Sequence, residues 1–331
     1  MIRRRLLPVA TLALVLVACA TESGSDDPSE GVSSDLGANV PVTVIHNDRA
    51  LRQKGRPDEV LAGLVRSSLN LGGMREAKVE EIAAEDGSTH LVVQLLTEGF
   101  HKLTITRLDV DETNKITRIS PNYIRTEEEQ VHGTTAPTYH CPDPEVQFVT
   151  LCPNNIASEI GWANEAGDAA EAAGLKTVRL MKSQATHDAW LNYMACPKLV
   201  GNFYDGDANT NEIVVYDGAI TAREFAASVS FNLEVTNIWL ACQAYNDPML
   251  TAVQKTAKSQ KYAAGINDLA VGPSDKAAVC AMKAAIAGKP MTQSFQDCYT
   301  QLDRPSDHWG FGGDGSDFFG KPPPATSTHT P

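Results

Sequence analysis

The stretch from Leu199 to Asn246, LVGNFYDGDANTNEIVVYDGAITAREFAASVSFNLEVTNIWLACQAYN, decides the fold. Two short apolar runs, Leu199 to Tyr204 and Asn237 to Ala241, each stop at a polar, Gly- or Cys-containing corner. Short buried runs bounded by turn signals, with helical patterns between them, mark parallel strands of an α/β sheet. In such sheets chemistry sits just past the carboxyl ends of the strands. Those ends are Asp205-Gly206-Asp207 and Cys242-Gln243.

The same alternation extends on both sides. Glu145 to Thr150, Thr177 to Leu180, Leu199 to Phe203 and Asn237 to Ala241 read as strands. Between them lie helical patterns at Ala163 to Ala173, closed by Gly174, and at Ala185 to Met194. Asn211 to Tyr216 reads as a small β excursion, and Thr221 to Glu224 as a capping box opening a further helix. Asp247-Pro248 opens the next. Right-handed crossovers between such strands force parallel pairing. The expectation over residues 141–302 is therefore a three-layer αβα sandwich with a mainly parallel sheet. It is completed by a weak strand at Tyr262 to Val271 and helices at Asp275 to Ala287 and Gln293 to Leu302, N-capped by Ser274 and Thr292.

Residues 41–125 read as a small α+β domain, with a helix at Arg56 to Asn70 and strands at Val42 to Ile45, Ala77 to Ile82, His90 to Leu96 and Lys102 to Val110. A turn then leads into Lys115 to Ile119. The pattern resembles cystatin-like or propeptide-type modules and carries no specific motif, so a packing role is expected of it. Residues 126–140 read as a linker, and the Gly/Pro-rich 303–331 as a flexible tail.

Arg3, Arg4 and Arg5 precede an apolar run from Leu6 to Val17, too short for the roughly 20 residues of a membrane span. The sequence Leu16-Val17-Ala18-Cys19 resembles the bacterial lipoprotein lipobox. The resemblance implies cleavage of a signal peptide at 1–18, lipidation of Cys19, and a place in the bacterial cell envelope, at the outer membrane or cell surface. Residues 19–40 then read as a disordered tether. Removing 1–18 takes the formal charge from −13 to −16. That balance excludes nucleic acid and an anionic lipid surface as electrostatic partners. Membrane attachment would come through the lipid, leaving a protein or peptide as the other partner class.

The corners Gly201-Asn202-Phe203-Tyr204-Asp205-Gly206 and Asn237-Ile238-Trp239-Leu240-Ala241-Cys242-Gln243 resemble the caspase–haemoglobinase fold of cysteine peptidases. Its members carry a His-Gly pair after the third strand and an Ala-Cys or similar pair after the fourth. The resemblance covers about Glu145 to Ala257 and implies Cys242 as nucleophile, with the general base at the position of Asp205. An aspartate, with a pKa near about 4, is too weak a base for a thiol near about 8.5, and its charge raises the thiol pKa further. His140, His187 and His308 offer no obvious replacement. Three readings of Cys242 stand open: an active nucleophile with an unconventional base, an inert relic, or a disulfide partner of Cys152. In the family's strand order the third strand lies between Cys152 and Cys242. That order also makes Cys141 and Cys196 neighbours at the opposite edge of the sheet. Cys280 and Cys298 sit on consecutive helices joined by the short break Gly288-Lys289-Pro290, so Cys141–Cys196 and Cys280–Cys298 are the expected disulfides in an exported chain.

Asp205, Asp207 and Asn209 alternate oxygens as a calcium loop does, without the glycine and glutamate of an EF-hand. They form a weak cation candidate beside the plainer reading of a solvated loop; no metal and no cofactor are expected. No P-loop, dinucleotide fingerprint or zinc-spaced Cys/His cluster occurs. The sequence thus implies an envelope lipoprotein with a degenerate caspase-like domain acting by binding or structure. The alternative is an active cysteine endopeptidase with the N-terminal domain as propeptide or regulator.

Overall fold

The short runs of the C-terminal region are buried and largely apolar at successive positions, so each strand packs on both of its faces, one against each of two helical layers. In the computed structural model, residues 39–46, 55–83, 88–126, 138–228, 235–255, 261–302, 308–312 and 319–320 are described. The larger sheet contains β6 (Phe148–Cys152), β7 (Thr177–Met181), β8 (Gly201–Asp205), β11 (Thr236–Leu240), β12 (Lys261–Gly265) and β13 (Trp309–Gly312). Their order is β13-β12-β11-β8-β6-β7, parallel except for β13. One face is covered by α3 (His187–Met194), α4 (Ala222–Ser228) and α5 (Met249–Lys255), the other by α2 (Ala157–Ala172), α6 (Pro273–Ile286) and α7 (Met291–Gln301). This is the three-layer αβα sandwich expected from the sequence.

The first face is built on aromatic rings. Trp190 stacks on Tyr204 at 5.3 Å between centroids, and Trp239 meets Trp190, Phe225 and Tyr262 edge-on at 5.5, 5.4 and 4.9 Å. Rings of this size dominate the burial energy of a core. The second face is lined by smaller groups, including Ala163, Ala166 and Ala170 of α2 and Ala277, Ala278 and Ala281 of α6. Those alanines let the helices lie close over Phe148, Phe203 and Ile238. Disulfides join Cys141 to Cys196 and Cys280 to Cys298.

The smaller sheet has the order β1-β2-β3-β4-β5, with β1 (Val42–Ile45), β2 (Met74–Ala83), β3 (Thr89–Thr97), β4 (Leu103–Val110) and β5 (Ile116–Pro121). β1 runs parallel to β2 because α1 (Asp58–Ser68) intervenes, and the rest is an antiparallel meander. Leu61 and Val65 of α1 cover Val79, Leu91 and Leu108 on one face. The other face, through Val92, Leu96, Leu103 and Ile105, meets Val214 of the hairpin β9 (Glu212–Val215) and β10 (Gly218–Thr221). Both sheets belong to one compact unit.

Several boundaries differ from the sequence reading. α2 begins at Ala157, six residues before Ala163, because Glu159 is drawn inside. α6 and α7 start after Gly272 and Pro290 rather than Ser274 and Thr292; in α6, Pro273 at the first helical position and the hydrogen bond from the Gly272 amide to Asp275 fix that start. β12 stops at Gly265, and the chain turns before Val271. The tail assignment is also corrected at one place, since Trp309–Gly312 is the antiparallel edge strand β13. A four-residue strand with two glycines reads as a loop, but Trp309 is buried against Phe295. Gly310 is needed there, because a Cβ would lie 1.9 Å from Tyr245 Cδ1.

Gly310→Ala should therefore displace Tyr245 or peel β13 from β12. Trp309, 3% exposed in the native chain, would then report a red shift in tryptophan emission. An unshifted spectrum with unchanged stability would remove β13 from the structural core.

Candidate functional site

β8 and β11 are adjacent central strands in parallel register, with Asp205 opposite Leu240. Their carboxyl ends therefore deliver Asp205-Gly206-Asp207 and Ala241-Cys242 to one edge. The Gly206 amide donates to the Leu240 carbonyl at 3.1 Å and ties the two corners together. A Cβ at Gly206 would lie 2.5 Å from the Tyr204 hydroxyl, which reaches the carbonyls of Asp207 and Val214, each at 2.9 Å. Strand alternation turns Cys152 and Cys242 toward the face covered by α2, α6 and α7.

Cys242 is fully buried, and its Sγ accepts from the Leu269 amide at 3.0 Å. Burial pushes its pKa far up, and Asp268 and Asp207 push the same way; the Leu269 amide opposes them only in part. Cys152, at the end of β6, is likewise buried, with its pKa raised by burial and then by Asp205 and Glu159. Both are free thiols, so the Cys152–Cys242 disulfide reading is set aside. β8 lies between their strands.

The turn between β3 and β4 fills the edge beside Cys242. Gly99 O accepts from Val271 at 3.2 Å, the His101 amide donates to Leu269 O at 3.1 Å, and His101 O accepts from the Cys242 amide at 2.9 Å. Bridges pair Phe100 with Ala270 and Lys102 with Ala208. The turn is thus held on both flanks as an added strand would be. The His101 ring is fully buried, with Nδ1 3.8 Å from Asp205 Oδ1 and Nε2 3.4 Å from Asp275 Oδ1. Burial opposes protonation of this ring, but Asp275 first, then Glu159 and Asp207, outweigh it and raise the pKa.

The four acids around it are all fully buried: Glu159, Asp205, Asp207 and Asp275. Asp205 is pushed well above the usual carboxylate range by burial and then by Asp275, Glu159 and Asp207. Asp207 and Glu159 are also raised by burial, against the pull of Arg75 and His101. Arg75 of β2 pairs with Asp207 and, at 3.4 Å, with Glu159; Asn154 donates to Glu159 at 2.6 Å and to Asp207 at 3.2 Å. A second buried pair lies nearby, Arg125 with Glu80 at 2.9 Å and with Glu212 at 3.2 Å.

The loop expected as a cation candidate does not converge. Asp205 faces His101, Asp207 faces Arg75 and Asn154, and Asn209 Oδ1 accepts from the amides of Asn211 and Glu212 at 2.8 Å each. The Asn209 oxygen is spent on its own turn, which corrects that reading. His187 sits at the start of α3, paired with Glu224 and Asp188, which overcome burial and raise its pKa to about 9. The carbonyl of His308 accepts from Ile266 at 2.8 Å. His101, Glu159 and Asp275 escaped the sequence reading. Asp275 looked like the first residue of a helix, and His101 a lone histidine in a turn.

Cys19 lies outside the described residues, as do 127–137 of the expected linker and most of the residues beyond 302. Among the described residues no helix is long and apolar enough to cross a membrane.

No family model matches the sequence, and no curated protein matches it. Among solved structures, one that is similar is the Arg-specific cysteine proteinase gingipain R, at 11% identity and a TM-score of 0.41. The match covers 55% of this chain and 50% of that one, so this chain spans about half of gingipain R. A likeness at this level speaks to neither activity nor substrate. The class defined by the sheet and its edge is an αβα sandwich with a buried cysteine and buried acids at the carboxyl edge of its sheet.

In native protein at pH 8, iodoacetamide should leave Cys242 and Cys152 almost untouched, while urea-unfolded protein reacts at both. Peptide mass mapping reads the difference. Rapid native alkylation of Cys242 would contradict its burial and raised pKa.

Proposed function

We propose that this chain is an exported, lipid-anchored protein of the bacterial envelope whose caspase-like sandwich is catalytically degenerate and acts by binding or structure. The observation that carries this reading is the state of Cys242. Its sulfur is occupied by the Leu269 amide, and its own amide by the His101 carbonyl. The position that the caspase-like resemblance gives to the base holds Asp205, a buried acid that cannot draw a proton from a thiol of raised pKa. The His101 ring, the one imidazole at this edge among the described residues, faces Asp205 and Asp275. Attachment would run through Cys19, with multiple acyl chains giving the stable anchoring that one chain cannot.

A second reading is favoured by one specific contact. The His101 carbonyl sits on the Cys242 amide, where a nucleophile's own N–H would hold the oxygen of a tetrahedral intermediate. Residues 99–103 would then be an inhibitory strand, and the N-terminal domain a propeptide or regulator of a latent cysteine endopeptidase.

One experiment separates the two. A recognition site for a specific protease is placed at Gly99, the turn is cut, and casein digestion is followed before and after. The degenerate reading predicts no digestion in either state and no effect of Cys242→Ala. Digestion that appears on cutting and is lost in Cys242→Ala would replace it with the latent peptidase. For the anchor, Cys19→Ala should move the chain from the detergent phase to the aqueous phase, and unchanged partition would refute lipidation.

A further inference from the structure

Beyond the question of catalysis, the buried edge carries unmatched polar atoms. Both imidazole nitrogens of His101, both carboxylate oxygens of Asp205 and Oδ1 of Asp275 are buried without a hydrogen-bond partner. Buried polar atoms are almost always paired, and leaving charged ones unpaired is strongly unfavourable. These five atoms share one place.

Their spacing is that of ligands. One atom from each of His101, Asp205 and Asp275 lies within 4.8 Å of the others. The His101 Nε2–Asp275 Oδ1 separation is 3.4 Å, longer than a good hydrogen bond; the 3.8 Å contact of Asp205 Oδ1 is to the other ring nitrogen, so only one of these two contacts can join the imidazole to a given ion. Two ligands each about 2.0–2.2 Å from a tetrahedral ion lie about 3.3–3.6 Å apart.

Charge argues the same way. Four buried carboxylates meet here, and Arg75 is the fixed cation paired with two of them, Asp207 and Glu159. Lys78 is spent on the carbonyls of Val215 and Tyr216. Asp205 and Asp275 thus have His101 as their ion-pair partner.

The three side chains are also held from behind, as good ligands are. Asp275 Oδ2 accepts from the Gly272 amide, which leaves Oδ1 for the site. Asp205 ends a central strand, and the His101 main chain is clamped by Leu269 and Cys242.

We propose that His101, Asp205 and Asp275 bind one divalent transition cation of the zinc class, at the junction of the smaller sheet with the sandwich. One imidazole and two carboxylates suit zinc, cobalt or manganese better than calcium or magnesium, which prefer all-oxygen shells. The ligands come from the β3–β4 turn, the end of β8 and the start of α6. The site is complete only when the turn is docked, so the ion acts as a staple between the two sheets. It does not depend on whether Cys242 reacts.

The test uses the full mature chain, without an affinity tag, stripped with a chelator and titrated with Zn2+ against a chromophoric competitor. One equivalent should bind, and the melting temperature should rise with zinc concentration by mass action. His101→Ala and Asp275→Asn should each weaken binding at least tenfold, while His187→Ala, at the separate His187–Glu224–Asp188 cluster, should not. Because a buried variant can misfold, Co2+ loading gives a second measurement. Wild type should show the visible absorption of cobalt in a nitrogen and oxygen shell without a thiolate charge-transfer band, and His101→Cys should gain that band. Absence of zinc binding, equal binding by wild type and His101→Ala, or a thiolate band already present in wild type would each overturn the proposal.

Discussion

The docking of the β3–β4 turn into the carboxyl edge of the larger sheet is the contact on which this structure depends. That edge buries Glu159, Asp205, Asp207 and Asp275 in a space closed to water. Carboxylates so placed are tolerable only with positive charge, donors or retained protons close by. The smaller sheet supplies Arg75 and His101 directly, and Arg125, just after β5, answers Glu212. Removing one partner from such a pair leaves an uncompensated buried charge, a loss of about 3–5 kcal/mol. The two sheets are therefore bound by electrostatic necessity as well as by the apolar contact of Val92, Leu96, Leu103 and Ile105 with Val214.

The same contact sets the chemistry of the edge. Strand ends in a parallel sheet ordinarily leave amides and side chains open to a ligand. Here the Cys242 amide and the Leu269 carbonyl are both taken by the backbone of His101. Exclusion of water raises the pKa of Cys242 and Cys152 and keeps both thiols protonated. The carboxyl edge is thus a packed interface. The aromatic cluster on the opposite face is tied to this edge, since Tyr204 spans from the Trp190 stack to the carbonyls of Asp207 and Val214.

Much of the sandwich was legible in the chain. Apolar runs such as Asn237 to Ala241 and the capping box at Thr221 are local signals, and the structure places β11 and the Thr221–Glu224 amide contact there. The corner cysteine Cys242 and Asp205 at the end of the neighbouring strand were legible for the same reason. β13 was not, because Trp309-Gly310-Phe311-Gly312 gains its strand character only by pairing with β12 and packing on Phe295.

His101 marks the limit more sharply. Nothing within the turn Gly99 to Lys102 distinguishes it from any polar hairpin end, and Asp275 and Glu159 look like ordinary acids in first helical turns. Periodicity and turn chemistry decided the strands, the helices between them and the corner residues Asp205 and Cys242. Only the tertiary structure decided that a histidine from a different sheet lies among the acids and that its carbonyl covers the Cys242 amide. Burial and charge pairing are properties of surfaces brought together across long sequence separations, and no local pattern encodes them.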